Sequence, residues 1–405
     1  MASNTYKNQK KKLKFSKKRV DKASKDIRQG CTGELRNESI KVIQNYRETH
    51  LYPLMLIRNL LSHPVRKVSK QAIIARRLKR LATIINKLER PTLDGKQANK
   101  IRLTRMQDIG GCRVILPKLR HLYKLKDSLE SSRSVHQIIK TVDYLSNPKD
   151  SGYLGVHLVY SCFSGKEGDS DWKGSKIEVQ LRTELQHAWA TSLEIIDTLE
   201  NLSLKTSISG HDNWRRFFYI AGRLVAHEEK AFSIPEDEIS GYIAEFTELE
   251  SQLEVRKALG KFGLAIKVMT YGDINKNRSI KNHKGMFLII MKRSENITEA
   301  INLDVKLTPF EENESDDALK ALEESELKDD VLVSVLVSAT DVKNLEKAYP
   351  NYLGSTVQFT DFISSQVKVT EKEKIQAREN VEFSSPENAP DVHERISFRK
   401  RFFGF

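Results

Sequence analysis

Apolar positions along the chain fall first into helical spacing and then into strand-like runs. Over residues 33–62, Ile40, Ile43 and Tyr46, then Leu54, Ile57 and Leu61, mark one apolar side and predict a helix. Pro53 is expected to kink or divide it, and His63-Pro64 to end it. Ser69 can cap a second helix running to Glu89 or Arg90, stopped by Pro91. Beyond a polar loop, residues 111–116 read as a short apolar strand. A helix follows from Lys118 to Ser131, with Leu119, Leu122, Leu125 and Leu129 inward. Residues 135–144, 153–163 and 176–182 are rich in Val, Ile, Leu and Tyr and are separated by turn chemistry at Asn147-Pro148 and Gly165 to Gly174, so they read as strands. Helical spacing returns over 183–200, 213–232 and 236–258, the last with Ile239, Tyr242, Phe246, Leu249 and Leu253 at steps of three and four.

A smaller α+β module is expected over 259–370. Its predicted strands are 262–269, 286–292 and 331–338, with helices near 315–327 and 340–348. Residues 371–405 read as a charged tail ending in basic and aromatic residues, and 1–32 as a basic flexible arm. Between arm and module, 33–258 is expected to form the main domain. At 405 residues more than one domain is expected, since single cores stop growing at about 250–300 residues.

Charge changes this picture at one end. The formal net charge is +14, and residues 7–28 hold eleven Lys or Arg against two Asp. A solvated arm accounts for that run; an extension touching RNA or the ribosome is the sharper reading. The three cysteines, Cys31, Cys112 and Cys162, have no metal-type spacing and fit a reducing cytoplasm. No apolar run approaches the roughly 20 residues needed to span a bilayer, and no secretory signal opens the chain. A cytoplasmic protein without membrane contact is the expectation.

Four segments carry candidate chemistry: Arg77 to Lys87, Met106 to Leu116, Asp143 to His157, and Ile177 to Thr183 with the following Glu184 to Trp189. In the last strand Glu178, Gln180 and Arg182 alternate with Ile177, Val179 and Leu181, which alone describes an ordinary half-exposed strand. Asp108 precedes an apolar strand in which Gly110-Gly111 permits close approach of backbone or ligand, and Tyr153 and His157 are four apart. One sheet face could thus present Asp108, Tyr153, His157, Glu178 and Gln180. Two carboxylates suit Mg²⁺ shared with substrate phosphates, basic groups neutralise a transferred phosphoryl group, and an aromatic ring stacks on a base. A single helix over 69–89 would not aim Arg77, Lys79 and Lys87 at the same phosphates, since Arg76, Arg80, Thr83 and Lys87 lie near one face and Lys79 almost opposite Arg77. Either the helix is entered near Lys79 or these residues serve two ligands.

In this order the segments resemble the synthetase domain of RelA/SpoT enzymes, including small alarmone synthetases, over residues 70–200. Its most specific pieces are Asp108-Ile109-Gly110 to Arg113, Gly152-Tyr153 to His157, and Glu178 to Thr183. The resemblance implies a nucleotidyltransferase-like α+β fold with a mixed β-sheet flanked by helices, and a magnesium-dependent transfer of pyrophosphate from ATP to a ribose 3′-hydroxyl of GDP or GTP. It places Arg77, Lys79, Lys87 and Arg113 on ATP, Asp108 and Glu178 on Mg²⁺ and in catalysis, and Tyr153, His157, Gln180, Arg182 and Lys149 at the acceptor. It also allows homo-oligomers and contact with tRNA or the ribosome.

This sequence departs from the family pattern in places. Thr83 replaces a serine, Leu154-Gly155 replaces Arg-Ser, and His187 stands where other polar residues are usual. These departures bear on the acceptor, so two alternatives stand beside guanosine alarmone synthesis. One is pyrophosphorylation of a tRNA 3′ end or of adenine nucleotides; the other is an inactive nucleotide- or RNA-binding module. His211-Asp212, after the motifs, is the chain's sole His-Asp pair, and alarmone hydrolysis is not expected.

Overall fold

The computed structural model describes residues 9–89, 102–164, 170–200, 202, 211–263, 285–293, 303–311, 314–326, 328, 331–339 and 353–367. Three helices lead into a sheet: α1 (Lys17–Arg28), α2 (Gly33–Glu48) and α3 (Leu51–Val68). Then come β1 (Ile73–Leu78), α4 (Leu81–Glu89), β2 (Gly110–Leu116), α5 (Leu119–Glu130), β3 (Gln137–Asp143), β4 (Val156–Ser161) and β5 (Lys176–Thr183). Helices α6 (Glu184–Leu199), α7 (Asp212–Glu228) and α8 (Glu236–Leu253) follow. The five strands form one sheet in the order β1-β2-β5-β4-β3. In it β2 and β5 run parallel, and the other neighbours are antiparallel. This is the α+β class with a helix-flanked mixed sheet that the family resemblance implies.

Period two makes this sheet two-faced. In β5, Ile177, Val179 and Leu181 are fully buried while Lys176, Glu178 and Gln180 are half-buried. Cys112, Val114, Leu158 and Tyr160 join the buried side, where α3 and α5 supply Leu54, Ile57, Leu61, Leu122 and Leu125. Gly110 makes room for a core side chain of the neighbouring strand, because a Cβ there would stand 2.6 Å from Cδ1 of Ile177 on β5. Its role is packing rather than ligand approach.

Several expectations are corrected. The helix expected over 69–89 is strand β1 followed by α4: Ile73 and Ile74 are β-branched, and the segment pairs with β2 from Ile73↔Ile115 to Leu78↔Gly110. The 33–62 helix divides at Thr49-His50 rather than at Pro53, which sits in the first turn of α3 where a missing N–H is harmless. Pro64 does not end α3, which runs on to Val68 with Leu61 and Val65 buried around the proline. In the basic arm, residues 17–28 are a packed helix, started by Ser16 accepting from the Arg19 N–H at 3.2 Å. Val20, Ala23 and Ile27 of α1 are fully buried against Val42 and Ile43 of α2 and Leu81 and Ile84 of α4.

A second, three-stranded antiparallel sheet has the order β7-β6-β8, with β6 Gly285–Arg293, β7 Leu303–Phe310 and β8 Val331–Ala339. Helix α9 (Ser315–Glu326) packs on it, and α10 (Leu353–Gln366) packs on α6. Strand β7 has no counterpart among the strands that the apolar pattern predicts. Phe359, Phe362 and Ile363 of α10 are buried in the same core as the first sheet. Residues 262–263 are helical instead of extended, while 264–269, the helix expected at 340–348 and the tail 371–405 lie outside the described residues. Among the described residues no helix is long and apolar enough to cross a membrane.

His50, at the α2–α3 joint, is buried, with Nδ1 3.0 Å from the Tyr46 carbonyl. Burial pulls its imidazole down from 6.5 to about 4, against two backbone hydrogen bonds that raise it. Between those pH values the unfolded chain binds a proton that the folded chain refuses, so stability falls as the pH drops through that window, by roughly 3 kcal/mol at most. Urea unfolding from pH 7 to pH 4 should show a shallower loss in His50→Gln than in the parent chain; parallel curves would remove His50 from the account.

Candidate active site

Strand β1 ends at Leu78, and the Lys79 N–H continues its ladder by donating to the Ile109 carbonyl at 2.7 Å. Nε of Arg47 donates to the Lys79 carbonyl at 2.8 Å, so the turn between β1 and α4 is pinned from both sides. Helix α4 begins two residues later, and Lys87 comes around on the side of Lys79. Both ammonium groups converge on Asp108: Lys79 Nζ lies 2.8 Å from Oδ2, and Lys87 Nζ 3.2 Å from Oδ1. The strand-to-helix switch thus removes the conflict that one helix would have created.

Electrostatics at this end follow from partial burial. Burial would raise the Asp108 carboxyl, but the Lys79 and Lys87 charges and hydrogen bonds outweigh it and hold it below its ordinary value. Lys79 is lowered by burial, with Asp108 opposing and the Lys87 and Arg77 charges adding to the fall. Arg77 pairs across to Gly111, which in turn pairs with Glu178. Arg113 pairs across to Gln180 and is pulled down to about 10, first by burial and then by the Arg182 charge, with Arg77 contributing and Glu194 opposing. Its buried Nε has no hydrogen-bond partner among the described residues. A guanidinium crowded by two others is a place for an anion.

A second cluster occupies the other end of the same face. His157 pairs across to Gln180 in the β4–β5 ladder. Its Nδ1 is 2.9 Å from Glu178 Oε1, and its Nε2 is 2.6 Å from the Tyr153 hydroxyl. Gln180 Nε2 donates to Glu178 Oε2 at 2.8 Å, and Arg182 Nη2 donates to the Tyr153 hydroxyl at 2.8 Å. Burial would raise the Glu178 carboxyl; the His157 and Gln180 hydrogen bonds and the His157 charge overcome it and leave it lowered, although Asp108 pushes the other way. The Tyr153 ring has the Lys149 ammonium 5.2 Å and the Arg182 guanidinium 5.1 Å from its centroid.

Gly155, at φ +134°, brings the backbone within 3.1 Å (measured to a Cβ placed there) of the Leu181 carbonyl. Leu154 is buried in the core. The Leu154-Gly155 departure therefore replaces a basic side chain with a close backbone approach, and Arg182 and Lys149 supply the positive charge around the tyrosine.

Thus the structure brings Asp108, Lys79 and Lys87 together, and separately Glu178, His157, Gln180, Tyr153, Arg182 and Lys149, with Arg77 and Arg113 on the strands between. His187 is buried on α6, with Nδ1 3.5 Å from the Thr191 hydroxyl, and belongs to the core. His211 and the exposed Asp212 sit at the start of α7. A cavity of about 380 Å³ lined by Arg36, Arg80, Thr83, Asn86 and Lys328, among others, contains none of the carboxylate-face residues. Tyr144 belongs to the site although the sequence pattern does not single it out: its ring meets those of Tyr153 and His157 edge-on at 5.4 and 5.1 Å, under the Lys149 ammonium at 4.0 Å. Its place within the Asp143 to His157 segment is the available signal.

Asp108 and Glu178 are two oxygen donors on one face and feel each other's charge. Among the described residues no group of three or more His, Cys, Asp or Glu could hold a metal ion. Two carboxylates with room for phosphate oxygens and water are nonetheless the donor set that Mg²⁺ takes in phosphoryl-transfer sites. In this structure the two lysines compensate the Asp108 charge.

Residues 76–195 match the model of the region found in RelA / SpoT proteins. A curated relative, GTP pyrophosphokinase YwaC of Bacillus subtilis (strain 168), is 28% identical over 115 residues, 28% of this chain and 52% of the relative. The chain thus spans about half the length of that relative. Among solved structures, small alarmone synthetase 1 of Bacillus subtilis bound to its product pppGpp aligns with a TM-score of 0.34 at 21% identity, covering 49% of this chain and 97% of the other. Small alarmone synthetase 2 of Bacillus subtilis aligns with a TM-score of 0.36 at 20% identity, covering 46% and 94%.

Proposed function

We propose that this chain, whose residues 76–195 match the RelA/SpoT region, is an ATP-dependent pyrophosphotransferase that modifies the 3′-hydroxyl of GDP or GTP. The observation that carries the reading is the pair of clusters on one sheet face: a carboxylate gripped by two lysines at one end, and a carboxylate–histidine–tyrosine chain at the other. The first suits a polyphosphate donor, the second a hydroxyl-bearing acceptor. The choice of guanine nucleotide leans on the family resemblance and on the name of the curated relative.

Asp108 and Glu178 would hold Mg²⁺ together with donor phosphates, which would lower the charge barrier to attack. Lys79 and Lys87 bind the donor phosphates once these compete with Asp108 for their protons. Arg77 and Arg113 meet the negative charge that spreads over the transferred group. Glu178, kept ionised by His157 and Gln180, accepts the acceptor hydroxyl proton. The hydroxyl oxygen then bonds to the β-phosphorus as the bond from that phosphorus to the α–β bridging oxygen breaks, and AMP leaves. Tyr153 presents its ring to the base, with Lys149 and Arg182 turning to acceptor phosphates.

The acceptor is tested by incubating the full chain with γ-³²P-labelled ATP and Mg²⁺ alongside GDP, GTP, AMP, ADP or deacylated tRNA. Label should move to GDP or GTP. Label moving only to tRNA or to adenine nucleotides would overturn the guanine assignment while keeping the transfer. No transfer to any acceptor would leave a nucleotide-binding module.

A further inference from the structure

The loop that carries Tyr153 is seated on α7 through two glycines. Gly152 adopts φ +74°, and a Cβ on it would stand 2.8 Å from both the Phe218 carbonyl oxygen and the Tyr219 Cα. From the opposite side, a Cβ on Gly222 would run into the Gly152 carbonyl. Backbone rests on backbone here, and neither position has room for a methyl group. The residue after Gly152 is Tyr153, whose hydroxyl is fixed from the sheet by His157 and Arg182. The loop is therefore clamped between β4–β5 and α7, and a shift at the α7 end must pull on those two hydrogen bonds.

The α7 end has its own support. The Trp189 indole donates to the Phe218 carbonyl at 3.0 Å, and its ring meets Tyr153 edge-on at 6.3 Å. Phe218 in turn stacks on Phe359 of α10, with ring planes 9° apart and centroids 6.3 Å apart. Phe218 and Phe359 are both buried. A packed path thus runs from α10 through Phe218 to the Gly152–Gly222 contact and on to Tyr153. Among the described residues, none of the hydrogen bonds at Asp108 involves α7 or α10.

We propose that Gly222, Phe218 and Phe359 form a platform that positions Tyr153, so that helix α10 sets the affinity of the acceptor site without touching the acceptor. This rests on the assignment of Tyr153 to the acceptor. Gly222 and Phe359 are positioning residues: they act on the loop, and the loop acts on the substrate. Close packing makes the path stiff, since a core cannot absorb an added methyl at the contact without moving one of the two backbones.

The test is steady-state kinetics with the acceptor that takes label, varying ATP and acceptor separately. In Gly222→Ala the acceptor KM should rise about 10-fold or more, with kcat and the ATP KM within about twofold, as expected when acceptor binding and not the chemical step is lost. Gly241→Ala, in α8 with open space around the added Cβ, should leave all three constants unchanged. Phe359→Leu should raise the acceptor KM about threefold or more in the parent chain and have no effect in a Tyr153→Ala background. An unchanged acceptor KM in Tyr153→Ala would overturn the acceptor assignment itself. A rise in Tyr153→Ala with none in Gly222→Ala or Phe359→Leu would overturn the platform alone. A Phe359→Leu effect that persists without the Tyr153 ring, or that falls equally on ATP, would make α10 a general structural support and overturn the proposal. Should Gly222→Ala fail to fold, the Phe359→Leu and Tyr153→Ala cycle decides it.

Discussion

Asp108→Asn is expected to lower kcat for pyrophosphate transfer by at least about 10³-fold, at the upper end of what loss of one preorganised charged group costs. The substitution preserves shape and removes the charge that two ammonium groups share. Lys79 and Lys87 then face each other and Arg77 without a counterion. Burial already pulls Lys79 down and Asp108 opposes that fall, so without Asp108 the Lys79 charge weakens where donor phosphates require it. The ATP KM should therefore rise together with the fall in kcat. Asp108 is also a stability group of known sign. Its carboxyl is held below the ordinary value, so the stabilisation is complete above that value and is lost as pH falls through the lowered one. Acid unfolding of Asp108→Asn should accordingly lack part of the parent chain's low-pH limb. Rapid-quench single turnovers with labelled ATP check the rate; activity within tenfold of the parent would remove Asp108 from the chemistry.

Glu178→Gln should cost about 10²–10⁴-fold in kcat, the range for loss of a general base. The amide can still meet Gln180, but it cannot take a proton from the acceptor hydroxyl. A second substitution separates this role from packing. Burial acts to raise the Glu178 carboxyl, and the His157 hydrogen bond is foremost among the influences that lower it. Removing that bond in His157→Asn should let burial win and move the acid limb of the pH–rate profile to higher pH. In the parent chain the limb should lie below the ordinary carboxylate value of about 4.3. An acid limb that stays in place in His157→Asn would show that Glu178 is not the titrating base.

Much of this site is legible in the amino-acid sequence, because period-two alternation in β5 names Glu178, Gln180 and Arg182 as one face. The buried Ile177, Val179 and Leu181 behave as the pattern requires. What the pattern does not show depends on pairing between distant segments. Residues 73–78 satisfy a helical count as well as a strand count, and the ladder to β2 decides for strand. That one switch also decides whether Lys79 and Lys87 can share Asp108. In α1, three apolar residues at helical spacing are hidden among many basic ones, yet Val20, Ala23 and Ile27 are enough to anchor it. Pro64 reads as a stop because local propensity forbids it mid-helix, while the burial of Leu61 and Val65 carries α3 past it. The seat of the Tyr153 loop on Gly222 has no signature in the sequence at all, since a glycine in a helix signals nothing until the backbone that lies against it is known.

The most direct test of pyrophosphate transfer at this carboxylate face is to identify the nucleotide left behind by the donor. ATP, Mg²⁺ and the accepting substrate should yield AMP, one molecule for each labelled product, and AMP formation should disappear in Asp108→Asn. Accumulation of ADP in place of AMP, or AMP that forms equally well in Asp108→Asn, would contradict the account.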